Sequence, residues 1–285
     1  MRPKTSSLGL LLIAMLSIQI GASIAKRLFP LAGAAGTSAL RVSISALVLL
    51  LVAQVWKYKI PRKNFPVIAA YGFSLGAMNL LFYFSLERIP LGIAVALEFT
   101  GPLAVALLSS KRALDLVWAV LAALGIYLIL PLDASQASLN GAGILLALAA
   151  GFFWGLYILL GKSAGKDGSS LQVTAWGMLF AAMVTLPFGI VMNGEQIKNP
   201  SLLPMGLLIA ILSSALPYSL EMKAMRNIPA KTFGILMSME PVVATLIGFI
   251  LLRESLTISQ GAAIVCIVAA SAGSTATARN EKTPA

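Results

Sequence analysis

The stretch PLGIAVALEFTGPLAVALLSS, Pro90–Ser110, decides the fold. It is apolar and long enough for a bilayer crossing, which takes ~20 residues as a helix. Yet it carries a carboxylate, Glu98, and a Gly101-Pro102 break in its middle. An ionisable side chain at membrane depth must face a polar cavity or a partner, so it marks a functional site. A proline there removes a helical hydrogen bond and leaves a carbonyl to be satisfied elsewhere. The stretch has a distant echo in PAKTFGILMSMEPVVATLIGF, Pro229–Phe249, where Glu240 stands directly before Pro241. A shift of 139 residues lays Pro90 on Pro229 and Pro102 on Pro241.

Working outward, the whole chain of 285 residues is 59% hydrophobic and 11% charged. A soluble domain is roughly a quarter charged, so this is an integral membrane protein. Its net charge is +11 with no histidine. The cations are scattered through short loops, which membrane topology explains and nucleic-acid binding does not. The single cysteine, Cys266, lies in an apolar run as an inert thiol, and there is no Cys/His cluster for a metal. Arg2 and Lys4 before an apolar run resemble a signal peptide, but the run Leu8–Ala25 is near spanning length and more spans follow, so an uncleaved first helix is expected.

Apolar length predicts ten spans, near 7–25, 36–56, 66–86, 91–110 and 115–131, then 140–162, 171–193, 202–222, 230–252 and 257–276. The expected fold is therefore an all-α polytopic membrane protein. With a cytoplasmic N-terminus, fifteen lysines and arginines fall on the cytoplasmic side and five on the other, with Arg41 alone placed well inside a span. That bias puts both termini in the cytoplasm. The offset of 139 runs without a gap from Tyr71–Ser110 onto Ala210–Phe249, matching Ser74 with Ser213 and Leu97 with Leu236. Five spans per half is an odd number, so the second half must sit upside down. The loop before Pro90 carries Glu87 and Arg88, whereas its counterpart carries Lys223, Arg226 and Lys231, as an inverted-topology repeat requires. The expected division is a first five-helix repeat over 1–135, a second, inverted one over 136–276, and a polar cytoplasmic tail over 277–285.

Polar residues at depth supply the candidate site: Gln19, Arg41, Asn79, Tyr83 and Glu98 in the first half, and Trp154, Tyr157, Tyr218, Glu221 and Glu240 in the second. Gly101, Pro102 and Pro241 are the candidate helix breaks. The distribution suggests that spans 1–4 and 6–9 line a cavity while 5 and 10 pack outside. Plainer readings stand beside each. Glu98 and Glu240 either bind a ligand or lock the fold by pairing with Arg41. Gln19 and Asn79 either touch ligand or join helices. Trp154, Tyr157 and Tyr218 serve a site or packing, and Glu221 is either a site residue or an interfacial carboxylate. No hydrolase, metalloprotease or intramembrane aspartate motif is present, so catalysis has no support. Alternating-access transport fits the repeat, the breaks and the buried charges together. A passive channel or facilitator remains the alternative.

The runs PLGIAVALEFTGPLAVALLSS, ILSSALPYSLEM and FGILMSMEP resemble the EamA family of the drug/metabolite transporter superfamily, in its bacterial threonine/homoserine-exporting branch. The resemblance runs from IQIGASIAKRLFPL near residue 18 to ASAGST near 274. It implies ten helices in two inverted five-helix repeats, a bacterial inner-membrane location, and efflux of small neutral amino acids, homoserine and threonine. It also implies proton antiport, with no cofactor beyond the proton gradient. A broader drug or metabolite exporter of the same superfamily is the near alternative. Partners are then the amino-acid substrate and the lipid bilayer, with no nucleic acid, and the oligomeric state stays open. Reporter fusions test the topology: one on the C-terminal tail reads cytoplasmic and one near Asp133 reads periplasmic. A periplasmic C-terminus would remove both the ten-span count and the inverted repeat.

Overall fold

The computed structural model describes residues 5–57, 61–89, 91–108, 113–129, 140–164, 169–228, 233, 236–253 and single positions between 258 and 273. The loop around Asp133, the tail 277–285 and most of the tenth span lie outside the described residues. The helices are α1 (Thr5–Lys26), α2 (Phe29–Ala53), α3 (Phe65–Leu86), α4 (Leu91–Glu98), α5 (Thr100–Leu108) and α6 (Ala113–Ile129). They continue as α7 (Gly141–Ala164), α8 (Ser170–Ile197), α9 (Leu203–Ala210), α10 (Leu216–Asn227) and α11 (Glu240–Leu252). There is no strand among the described residues. Six helical stretches are long and apolar enough to cross a membrane, and three shorter apolar ones are Leu91–Val105, Leu116–Gly125 and Glu240–Leu251. These nine fall on the first nine expected spans, and helical positions recur from Ile258 to Gly273 where the tenth is expected. The protein is an all-α polytopic membrane protein.

A bilayer demands that each spanning segment satisfy its own backbone, which helices alone do in an open bundle. The outer faces meet that solvent with large apolar side chains: Leu47, Leu51, Phe152 and Val191 are 62%, 64%, 63% and 84% exposed. The inner faces are built from small residues, so helix backbones approach closely. A Cβ on Gly101 would stand 1.8 Å from the Gly151 carbonyl oxygen, and one on Gly177 would stand 2.2 Å from the Tyr71 ring.

Several boundaries differ from the sequence expectation. The second span starts at Phe29, not 36, because Pro30 occupies the first helical turn and Gly33, at φ +66°, bends the chain within it. Only glycine adopts that conformation without strain. The expected break at Gly101-Pro102 falls earlier, at Phe99. Pro102 sits in the first turn of α5, where a missing N–H costs little. Pro241 likewise lies in the first turn of α11, after a 3₁₀ turn Met237–Met239. The eighth span is not one helix: α9 and α10 are joined by a π-helical turn, Ile211–Ala215.

Helix α3 lies against α7 and α8, and the α9–α10 span lies against α1 and α2. The α4–α5 segment meets α7, and α11 meets α1. Helices α2 and α8 pack on each other, as do α4 and α11. Exchanging each element of one half for its counterpart in the other reproduces this set of pairs.

The Gly101–Gly151 contact gives a stability test. In Gly101→Ala the new methyl has backbone on its far side, so α5 and α7 must part, at a cost of about 1–3 kcal/mol. Thermal unfolding in detergent should show a lowered midpoint. Gly92→Ala, in the same span, meets only the Thr245 hydroxyl at 4.0 Å and should leave the midpoint unchanged.

Candidate functional site

The bundle encloses a cavity of about 50 Å³, between α1–α4 of the first half and α7, α10 and α11 of the second. A single water needs roughly 10–15 Å³ on that measure, so a few waters or the polar part of a small solute fit. Gln19, Arg41, Asn79, Tyr83 and Glu98 line it from the first half. Trp154, Tyr218, Glu221 and Glu240 line it from the second. Tyr157 stands just behind, donating its hydroxyl hydrogen bond to Glu221 Oε2 at 2.8 Å. All ten sequence candidates therefore meet in one place. Gly101, Pro102 and Pro241 shape the walls without lining the cavity. Trp176 lies elsewhere, edge-on to Phe65 at 5.3 Å.

Arg41 is the centre of the network, and is 3% exposed. Its Nη1 donates to the Ser213 carbonyl at 3.1 Å, and its Nη2 donates to Asn79 Oδ1. The guanidinium carbon lies 4.5 Å from the centroid of the Tyr83 ring, a contact worth ~2 kcal/mol when desolvated. Asn79 Oδ1 also accepts from the Tyr218 hydroxyl at 3.0 Å, while its Nδ2 donates to the Leu75 carbonyl at 2.7 Å. Asn79 and Tyr218 are 139 residues apart, the offset seen in the sequence, and the two positions are in direct contact.

The acceptors for Arg41 come from a feature the sequence reading missed. Pro217 has no N–H to donate to the Ser213 carbonyl. Leu216 N–H reaches back to Ile211 in the π turn, so the Leu212 carbonyl is freed too. Both are taken from outside the helix: Ser17 Oγ donates to the Leu212 carbonyl at 2.6 Å, and Arg41 takes the Ser213 carbonyl. π turns inside helices commonly mark functional sites. The signal in the sequence was the proline of SSALPY, Ser213–Tyr218, whose consequence depends on neighbours from α1 and α2.

The three carboxylates are held differently. Glu240 Oε1 accepts from Gln19 Nε2 at 2.8 Å, and its Oε2 is buried with no partner. Glu221 is 2% exposed and bonded to Tyr157, which corrects the interfacial reading of this residue. Behind it, Tyr71 stacks on Tyr157 with ring centroids 5.1 Å apart. Glu98 is 7% exposed and accepts no hydrogen bond among the described residues. Three carboxylates against one guanidinium leave a surplus of negative charge in the bundle. A bound ammonium group or proton offsets it. No group of three His, Cys, Asp or Glu residues among the described ones could hold a metal.

Comparison with known proteins agrees with this architecture. The EamA-like transporter family matches at residues 141–276. The threonine/homoserine exporter RhtA of Salmonella typhimurium strain LT2 is 51% identical over 271 residues, covering 95% of this chain and 92% of that protein. RhtA of Escherichia coli K12 is 50% identical over 272 residues, with the same coverage of 95% and 92%. A solved crystal structure superposes with a TM-score of 0.76 at 18% identity, covering 96% of this chain and 99% of that one, which shows the shared fold. The two RhtA relatives are named as exporters. With that identity along nearly its full length, the chain belongs to the EamA-like transporter family.

Proposed function

We propose that the protein exports small neutral amino acids, threonine and homoserine among them, across the bacterial inner membrane. The observation that carries this reading is the buried cavity lined by three carboxylates and one guanidinium, with Glu240 Oε2 and Arg41 Nε unpaired among the described residues. The names of the relatives supply the substrate class. In this reading Glu98, which accepts no hydrogen bond among the described residues, receives the substrate ammonium. Arg41 holds the carboxylate in the bidentate manner a guanidinium allows. Glu98 or Glu240 takes the coupled proton, so substrate and proton occupy the cavity in turn.

The transport cycle follows from an inverted repeat over 1–135 and 136–276, with both termini and the tail 277–285 in the cytoplasm. The exchange symmetry of the helix pairs and the Asn79–Tyr218 contact support that division. In this cycle one half rocks against the other about the cavity, opening it to each side in turn. The proton gradient supplies the driving force and no cofactor is needed.

Flux against an opposing amino-acid gradient, with and without a proton gradient, tests the reading. Uphill efflux that stops when the proton gradient is collapsed fits an antiporter, and strictly downhill flux would make the protein a passive facilitator. Glu98→Gln keeps the size of the side chain but neither charge nor titration. Losing a charged hydrogen bond of about 1.5–3 kcal/mol should lower efflux about 10–100-fold, normalised to folded protein in the membrane. Glu240→Gln should be impaired as well, and near-normal efflux in Glu98→Gln would leave that carboxylate a structural lock.

A further inference from the structure

The cavity holds an inventory of unpaired groups. Of the buried side-chain polar atoms with no partner among the described residues, four belong to residues that line it: Gln19 Oε1, Arg41 Nε, Tyr83 Oη and Glu240 Oε2. Buried polar groups are normally hydrogen-bonded, so each such atom calls for an explanation. Their chemistry is not alike. Gln19 Oε1 accepts, as does Glu240 Oε2 when ionised, which suits an ammonium group. At its other end the Gln19 amide donates from Nε2 to Glu240 Oε1 at 2.8 Å. Arg41 Nε only donates, which suits a carboxylate. Tyr83 Oη alone both donates and accepts, which is what an aliphatic alcohol needs.

We propose that Tyr83 reads the side-chain hydroxyl of the substrate, and thereby selects hydroxy-amino acids over alkyl amino acids of the same size. The proposal rests on the amino-acid exporter reading and adds the group that discriminates within that class. Tyr83 is 1% exposed, and its ring is fixed on two sides. One face carries the Arg41 guanidinium, and Phe29 packs at 5.4 Å between centroids with the rings tilted by 55°. The hydroxyl therefore stands in place before substrate arrives, beside the group that holds the carboxylate. Phe82, Met78 and Val95 supply apolar lining to the same cavity. An alcohol bound there satisfies the phenol. An alkyl side chain bound there leaves the phenol buried and unpaired, and a site built to bond a hydroxyl rejects such an analogue strongly.

Proteoliposomes holding the full chain test this by counterflow of two labelled compounds, homoserine and α-aminobutyrate, which differ by one hydroxyl. Wild type should move homoserine at least about tenfold faster. Tyr83→Phe keeps the ring, its contact with Arg41 and its packing on Phe29, and removes only the hydroxyl. It should slow homoserine while sparing α-aminobutyrate, bringing the two rates within about twofold. The ratio is taken within each variant, so the yield of folded protein does not enter. A preference for homoserine unchanged in Tyr83→Phe would overturn the proposal. Equal loss of both compounds would also overturn it, by making the hydroxyl a structural group. So would a wild type that moves both at the same rate. A wild type that moves neither compound, nor threonine, would instead remove the exporter reading on which the proposal stands.

Discussion

The structure depends on housing one guanidinium inside a bundle that spans a bilayer. Arg41 is buried, and an unpaired charge in a low-dielectric interior costs several kcal/mol after relaxation. Its partners come from three other places: the Ser213 carbonyl in the π turn, the Asn79 side chain on α3 and the Tyr83 ring. Removing any one leaves a buried charge under-satisfied. That requirement draws α2, α3 and the eighth span to one point, and the carboxylates gather around it. The irregular eighth span is thus part of the same constraint, because Pro217 leaves the Ser213 carbonyl free for an arginine from another helix.

The small residues serve the same end. Gly101 and Gly151 let α5 and α7 approach at backbone contact, and Gly72 and Gly177 do so for α3 and α8. Close approach on the periphery leaves the larger and polar side chains to meet in the middle. The Glu98 carbonyl, freed because Pro102 has no N–H to offer, lies where a Cβ on Gly151 would stand 2.6 Å away. The break in α4–α5 and the glycine beside it are therefore one device. It turns the Glu98 side chain toward the cavity while keeping the span packed.

The ion balance of the site connects the fold to transport. A cavity lined by three carboxylates and one guanidinium favours a bound ammonium group or proton, as the proposed antiport requires. The Tyr71–Tyr157–Glu221 group extends this polar region behind the wall of the cavity. Its carboxylate is as buried as the other two, so its position near the end of a span in the sequence did not reveal its surroundings.

The sequence by itself determined which side chains would be functional candidates. The reason is that a bilayer makes each charge or amide at depth costly whatever its neighbours are, so Glu98, Arg41, Asn79 and Glu240 could be picked out one at a time. It also showed the 139-residue offset, since prolines and hydrophobic lengths recur along the chain. It could not show which of the candidates are satisfied. Gln19 and Glu240 bond across 221 positions, and Arg41 and Ser213 across 172. Those partners, the π turn's freed carbonyls and the four unpaired atoms around the cavity exist only once the helices are packed. Hydrogen bonding is decided by distances of a few ångströms between segments remote in sequence, and only the tertiary structure sets those.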